Sequence, residues 1–122
     1  MTPIFVSLAG SLGAVTRFLV DSRIRAKYNQ VFPWATLVIN ISGSFILGIA
    51  VGILLKHKGF TTVEAIVGAG FCGGYTTFST ASFETVRLLE RKQYSAAISY
   101  AAGGLVLAGL AATIGLVIGQ LL

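Results

Sequence analysis

Charge is what this chain has least of. Only 11% of its 122 residues are charged, against roughly a quarter in soluble domains, which excludes an ordinary water-soluble fold. The same scarcity excludes a disordered chain, whose composition would be polar. Cysteine occurs once, at Cys72, so no intrachain disulfide can form, and the residue reads as a small packing side chain. The single histidine, His57, falls in a loop, and the acids of the apolar segments, Glu64 and Glu84, lie near opposite ends of one segment rather than as an intramembrane pair. With no nucleophile–base pair to assemble, the chain is expected not to be an enzyme. No basic stretch precedes the first apolar segment, and Arg17 lies near its end, so that segment reads as a retained helix rather than a signal peptide.

Apolar sequence is what the chain has in abundance. Hydrophobic residues make up 55% of it, and the mean hydropathy is +0.85. Four apolar segments stand out, Ile4–Val20, Trp34–Leu55, Val63–Val86 and Ser95–Leu122. Each is close to the roughly 20 residues a helix needs to cross a bilayer. The expectation is an all-α membrane protein, one four-helix domain over 1–122, with helices at about 4–20, 34–55, 63–88 and 95–121. Short connections at Asp21–Pro33, at Lys56–Gly59 and at Glu90–Gln93 separate them. Trp34 and Tyr94 fall where an interfacial aromatic belt would place them.

The net charge of +5 would suggest nucleic acid in a soluble protein. Here the basic residues sit at helix ends, where they set orientation, and no nucleic-acid partner is expected. Seven of the nine (Arg17, Arg23, Arg25, Lys27, Arg87, Arg91 and Lys92) lie in or beside the first and third loops, and only Lys56 and Lys58 lie on the other side. The positive-inside rule then predicts a multi-pass protein of the cell membrane with loops one and three cytoplasmic and both termini outside.

Glycines fall four apart at Gly48/Gly52, Gly70/Gly74 and Gly115/Gly119. That spacing lets helix backbones approach closely, either between subunits or within one. Four thin helices enclose a permeation path poorly, which favours an oligomer.

The third segment carries the most distinctive stretch, GFCGGYTTFSTASFE from Gly70 to Glu84. The pair Gly73-Gly74 weakens helix propensity at mid-membrane depth. A break there frees carbonyls, which is tolerated only in protein or against a wet cavity. Freed carbonyls can ligate a small cation, and the following helix N-terminus favours an anion. Thr76, Thr77, Ser79 and Thr80 add hydroxyl donors; the duller account is that they bond back to their own helix. Asn40, mid-way along the second segment, needs a partner in hydrocarbon, either a neighbouring helix or something in the same path. The positive edge of the Phe78 ring offers a weak contact to an anion, and weak ligands suit conduction.

LGAVTRF, TLVINISGSFILGI and GFCGGYTTFST, the last followed by Glu84, run across the first three segments. Together these stretches resemble the Fluc (CrcB) fluoride channel family. The resemblance implies passive fluoride export through a dual-topology dimer of antiparallel subunits with the third helix interrupted near Gly73–Thr77. It implies that Asn40 and Phe78 line the fluoride path and that Thr77, Ser79 and Thr80 continue a polar track. It also implies a structural sodium ion at the dimer centre, held by the Gly73 and Thr76 carbonyls of each subunit.

Two departures from the family pattern stand out. Ala81 occupies the place of a second Phe three residues after the first, and Phe83 points elsewhere. Gly104 stands four residues after Tyr100, where the family often has Ser. Together with the charge bias, they point to a heterodimer with an oppositely oriented homologue and one competent path; a homodimer is the other arrangement. Arg17 reads as snorkelling to the interface or supporting the path's mouth. Glu84 and Glu64 read as interfacial, and Glu84 gains weight from the acid that follows the family motif. A small multidrug-type transporter needs an acid in its first helix, and Ile4–Val20 has none. A non-transporting membrane assembly would account for the glycines but not for the Thr-Thr-Phe-Ser-Thr run.

Overall fold

The computed structural model describes residues 1–28, 32–59 and 61–122; Asn29, Gln30 and Val31 of the first loop and Phe60 of the second lie outside the described residues. Those described form helices and connections, with no strand among them. Helix α1 is Thr2–Lys27, α2 is Trp34–Lys56 and α6 is Tyr94–Leu121. These three are long and apolar enough to cross a membrane. Between α2 and α6 the chain is in pieces: α3 (Thr61–Glu64), a π-helical segment (Ala65–Cys72), α4 (Gly73–Tyr75) and α5 (Phe78–Glu90).

Helix α1 outruns the apolar segment that marks it. It continues through Asp21, Arg23 and Arg25 to Lys27, residues that hydropathy assigns to a loop. An ion pair one turn apart supports the extension: Arg25 Nε lies 2.8 Å from Asp21 Oδ2. Arg25 and Lys27 also suit the negative end of the helix dipole. At the other end Pro3 lies in the first turn, where a missing N–H costs nothing.

The helices pack through backbone rather than through large side chains. Helix α2 makes its most extensive contact with α6, and α1 with the π-helical segment. A Cβ at Gly48 would collide with the Ala112 carbonyl, and one at Gly115 with the Phe45 carbonyl. Across the other interface, a Cβ at Gly13 would strike the Phe71 carbonyl and one at Gly74 the Gly10 carbonyl. In lipid there is no hydrophobic force between helices, so such close approach is the main source of attraction. All three glycine pairs read from the sequence are therefore consumed inside one chain.

A small side-chain core sits near the first and third loops, where Leu88, Ala97 and Tyr100 are buried with Phe32, Leu37 and Ala81 packed on them. The turn from α5 to α6 closes tightly. Lys92 N–H donates to the Leu89 carbonyl at 3.0 Å and Gln93 N–H to the Leu88 carbonyl at 2.9 Å. This is a Schellman arrangement, and Lys92 takes its left-handed position at φ 59°.

Candidate functional site

The polar stretch of the third segment folds around two extended residues. Helix α4 ends at Tyr75; Thr76 has φ −81° and ψ 160°, and Thr77 has φ −149° and ψ 120°. Gly73 and Gly74 are not themselves the extended pair. Gly73 is helical at φ −62° and ψ −38°, and both belong to α4. Gly74 is needed where α1 presses its backbone against the segment, whereas a Cβ at Gly73 would meet only the Gly68 carbonyl, at 3.9 Å; the extended geometry falls after the pair, at Thr76 and Thr77.

The hydroxyls of Thr76, Thr77 and Ser79 each make a polar contact. Thr76 Oγ1 donates to the Cys72 carbonyl at 2.7 Å, bonding back to its own helix. Thr77 instead caps α5: its Oγ1 accepts from Thr80 N–H at 3.2 Å. Ser79 Oγ lies 3.4 Å from the same oxygen. Thr77 is also held from α2. Asn40 Nδ2 donates to the Thr77 carbonyl at 2.9 Å, and Thr77 N–H donates to Asn40 Oδ1 at 2.9 Å. One amide side chain thus satisfies both main-chain groups of one extended residue. Asn40 Nδ2 retains a second proton.

A cavity of about 580 Å³ opens beside this junction, and Asn40, Thr77, Phe78, Ala81, Tyr100 and Gly104 are on its wall. The structure therefore brings Asn40, Thr77 and Phe78 together with the two positions that depart from the expected pattern. Thr76 is also on that wall, whereas Ser79 and Thr80 are not. Phe78 is 87% exposed, so its ring is left available to something outside this chain. An aromatic ring at Ala81 would occupy cavity space that is open here.

Glu84, midway along α5, ties that helix to its neighbours. Its Oε1 accepts from the buried Thr36 hydroxyl at 2.6 Å and lies 3.5 Å from Arg25 Nη2. This polar cluster draws on α1, α2 and α5. Neither Thr36 nor Arg25 is legible from the sequence as Glu84's partner, because the bond to Thr36 spans 48 positions. Arg17 is half-buried on α1. On the π-helical side, Tyr75 Oη and Ser42 Oγ are 2.9 Å apart, another pair that no local pattern reveals.

For a cation, the described residues hold no cluster of three or more His, Cys, Asp or Glu. The available donors are main-chain oxygens, which suit a hard ion. In a continuous helix the Thr77 amide would close on the Gly73 carbonyl; here it goes to Asn40. Gly73 is exposed, and the main-chain oxygens at this junction are of the kind a monovalent cation takes.

An all-helical chain with three membrane-length helices, a fourth apolar stretch in pieces and a polar-edged cavity defines a multi-pass membrane protein. Residues 4–116 match the family described as CrcB-like protein, Camphor Resistance (CrcB), and the chain belongs to that family. It is 46% identical over 124 residues to the "Fluoride-specific ion channel FluC 1" of Leifsonia xyli subsp. xyli, covering 99% of this chain and 90% of that one. It is 45% identical over 121 residues to the "Fluoride-specific ion channel FluC 2" of Cutibacterium acnes, covering 98% of each. A third relative, the "Fluoride-specific ion channel FluC" of Acidobacterium capsulatum, is 36% identical over 121 residues, 98% of this chain and 97% of the other.

Proposed function

We propose that this chain is a subunit of a fluoride-selective channel that lets fluoride leave the cell passively, lowering its cytoplasmic concentration. The carrying observation is the near-full-length identity to proteins named fluoride-specific ion channels. The cavity geometry agrees with it. Asn40 offers a remaining donor proton, Phe78 offers a ring edge, and neither supplies a full charge that would trap the anion. Thr77 continues the polar edge on the cavity wall, and Ser79 and Thr80 would extend it beyond that wall, along the start of α5. Arg17 and Glu84 support the path from farther along their helices.

The path is completed by a second subunit. Support comes from the exposure of Phe78 and from a cavity whose wall, in one chain, comes from α2, the 76–85 stretch and α6. The subunits lie antiparallel, and the Gly73 and Thr76 carbonyls of each would hold a sodium ion at their junction. Bound there, it would supply positive charge to oxygens that otherwise repel one another. The bias of basic residues toward loops one and three favours a fixed orientation with those loops cytoplasmic and the termini outside. A fixed orientation calls for an oppositely oriented homologue as partner, and the numbered names FluC 1 and FluC 2 among the relatives favour paired chains.

The test is fluoride efflux from liposomes, read by a fluoride electrode with chloride as control. The expected result is no efflux from the chain alone and fluoride-selective efflux when a homologue of opposite charge bias is present. Fast fluoride-selective efflux from the lone chain rejects the obligate heterodimer and keeps the channel. Absence of flux under both conditions rejects the channel in favour of a non-transporting assembly.

A further inference from the structure

The amide that Asn40 takes from Thr77 is the first one lost from the helical ladder. Thr76 N–H still closes on the Cys72 carbonyl at 2.8 Å, so the segment is helical up to that bond. The next amide in order is that of Thr77. Its regular acceptor would be the Gly73 carbonyl, and Asn40 Oδ1 takes its place at 2.9 Å. The second bond, from Asn40 Nδ2 to the Thr77 carbonyl at 2.9 Å, fixes the orientation of that peptide group. Asn40 therefore does for Thr77 what a neighbouring β-strand would do, inside a helical protein.

Close approach of α2 makes this reach possible. A Cβ at Gly43 would collide with Thr76 Cγ2 and come within 3.2 Å of Tyr75 Cδ1. Gly43 is buried against the end of α4, less than one turn from Asn40. The other face of the segment is fixed by α1, with Gly74 against the Gly10 backbone. The junction is thus clamped from two sides, and among the described residues Asn40 is what hydrogen-bonds the main chain of Thr77 from a neighbouring helix.

We infer that Asn40 is a positioning residue that holds the chain open at Thr76–Thr77, and that by capturing the Thr77 amide it releases the Gly73 carbonyl to a cation. The first half stands on the hydrogen bonds alone; the second rests on the sodium reading given above. One side chain then links the anion path, where its remaining proton points to use, with the cation at the subunit junction. Loss of Asn40 lets the Thr77 amide return to Gly73, and the cation loses an oxygen.

The experiment uses the full chain in lipid nanodiscs, with its partner where one is required. It reads the ¹³Cα chemical shifts of Thr76 and Thr77 and the dependence of thermal stability on sodium, with N-methyl-glucamine as the replacement cation. N40A should move both shifts toward helical values and raise the sodium midpoint by about 10- to 100-fold, the usual effect of losing a group that orients a metal ligand. N40D keeps the acceptor for the Thr77 amide but loses the donor to the Thr77 carbonyl, so its shifts and sodium midpoint should fall between those of the wild type and N40A. G43A leaves the Asn40 side chain intact but pushes α2 away, and should move the shifts in the direction of N40A. Extended shifts that persist in both N40A and G43A overturn the clamp. Helical shifts with an unchanged sodium midpoint overturn the link to the cation. A wild-type protein indifferent to sodium rejects the sodium reading, and the shifts then decide the clamp by themselves.

Discussion

The Thr36 hydroxyl donates to Glu84 Oε1 at 2.6 Å, joining α2 to α5 across 48 positions of sequence. Thr36 is 1% exposed, and the Glu84 side chain is 13% exposed. Removing the donor leaves a largely buried carboxylate short of one strong partner. Thr36→Val should destabilise the protein by about 1–3 kcal/mol, and Thr36→Ser should recover most of the loss. Unfolding in mixed micelles measures both.

Arg25 faces the same carboxylate, at the longer distance of 3.5 Å and with its own side chain 52% exposed. Pairs of that kind are worth little in solvent. Arg25→Gln should cost less than about 1 kcal/mol, well below Thr36→Val in the same assay. The reverse order would mean that Arg25, not Thr36, holds Glu84.

The α2–α6 interface leaves no room for a methyl group at Gly48 or Gly115. Gly48→Ala and Gly115→Ala should each destabilise by about 1–3 kcal/mol through overpacking. At Gly109 a Cβ would meet nothing within 4 Å. Gly109→Ala should therefore be neutral or stabilise by up to about 1 kcal/mol through helix propensity. Thermal unfolding of the three variants side by side separates packing from propensity.

Lys92 pays for its left-handed backbone at φ 59°. Glycine takes that conformation freely, so Lys92→Gly should stabilise the α5–α6 turn by about 0.5–1 kcal/mol. A fall in melting temperature would show that the Lys92 side chain contributes more than its backbone costs.

Ala81 leaves open the space that a ring would fill beside Phe78. Ala81→Phe should raise fluoride efflux from the paired channel by supplying the missing ring, while Phe78→Ile should lower it. An unchanged flux in Ala81→Phe would mean that the open space at Ala81 does not limit conduction.

Amino-acid content sets the solvent in which this protein folds. Four apolar segments, scarce charge and a one-sided distribution of Lys and Arg follow from composition and order alone, because partition into lipid depends on local hydropathy. The stretch around TTFST could also be read as the place where the chain does something other than pack, since hydroxyls and glycines are costly in lipid without a reason. What the sequence could not determine was where each of those groups finds its partner. Glycines four apart serve subunit contacts and internal contacts equally well, and only the folded chain sets Gly48 and Gly115 against facing carbonyls of their own protein. The pair Gly73-Gly74 has the propensity to break a helix, yet both residues are helical because α1 sits against Gly74, and the extended angles fall at Thr76 and Thr77. Asn40 needs a partner by any reading of its sequence, but the choice of Thr77, 37 positions away, depends on how closely Gly43 lets α2 approach. Hydropathy likewise ends the first helix near residue 20, whereas the Asp21–Arg25 pair carries it to Lys27. Local chemistry states what must be satisfied; distance in space decides by what.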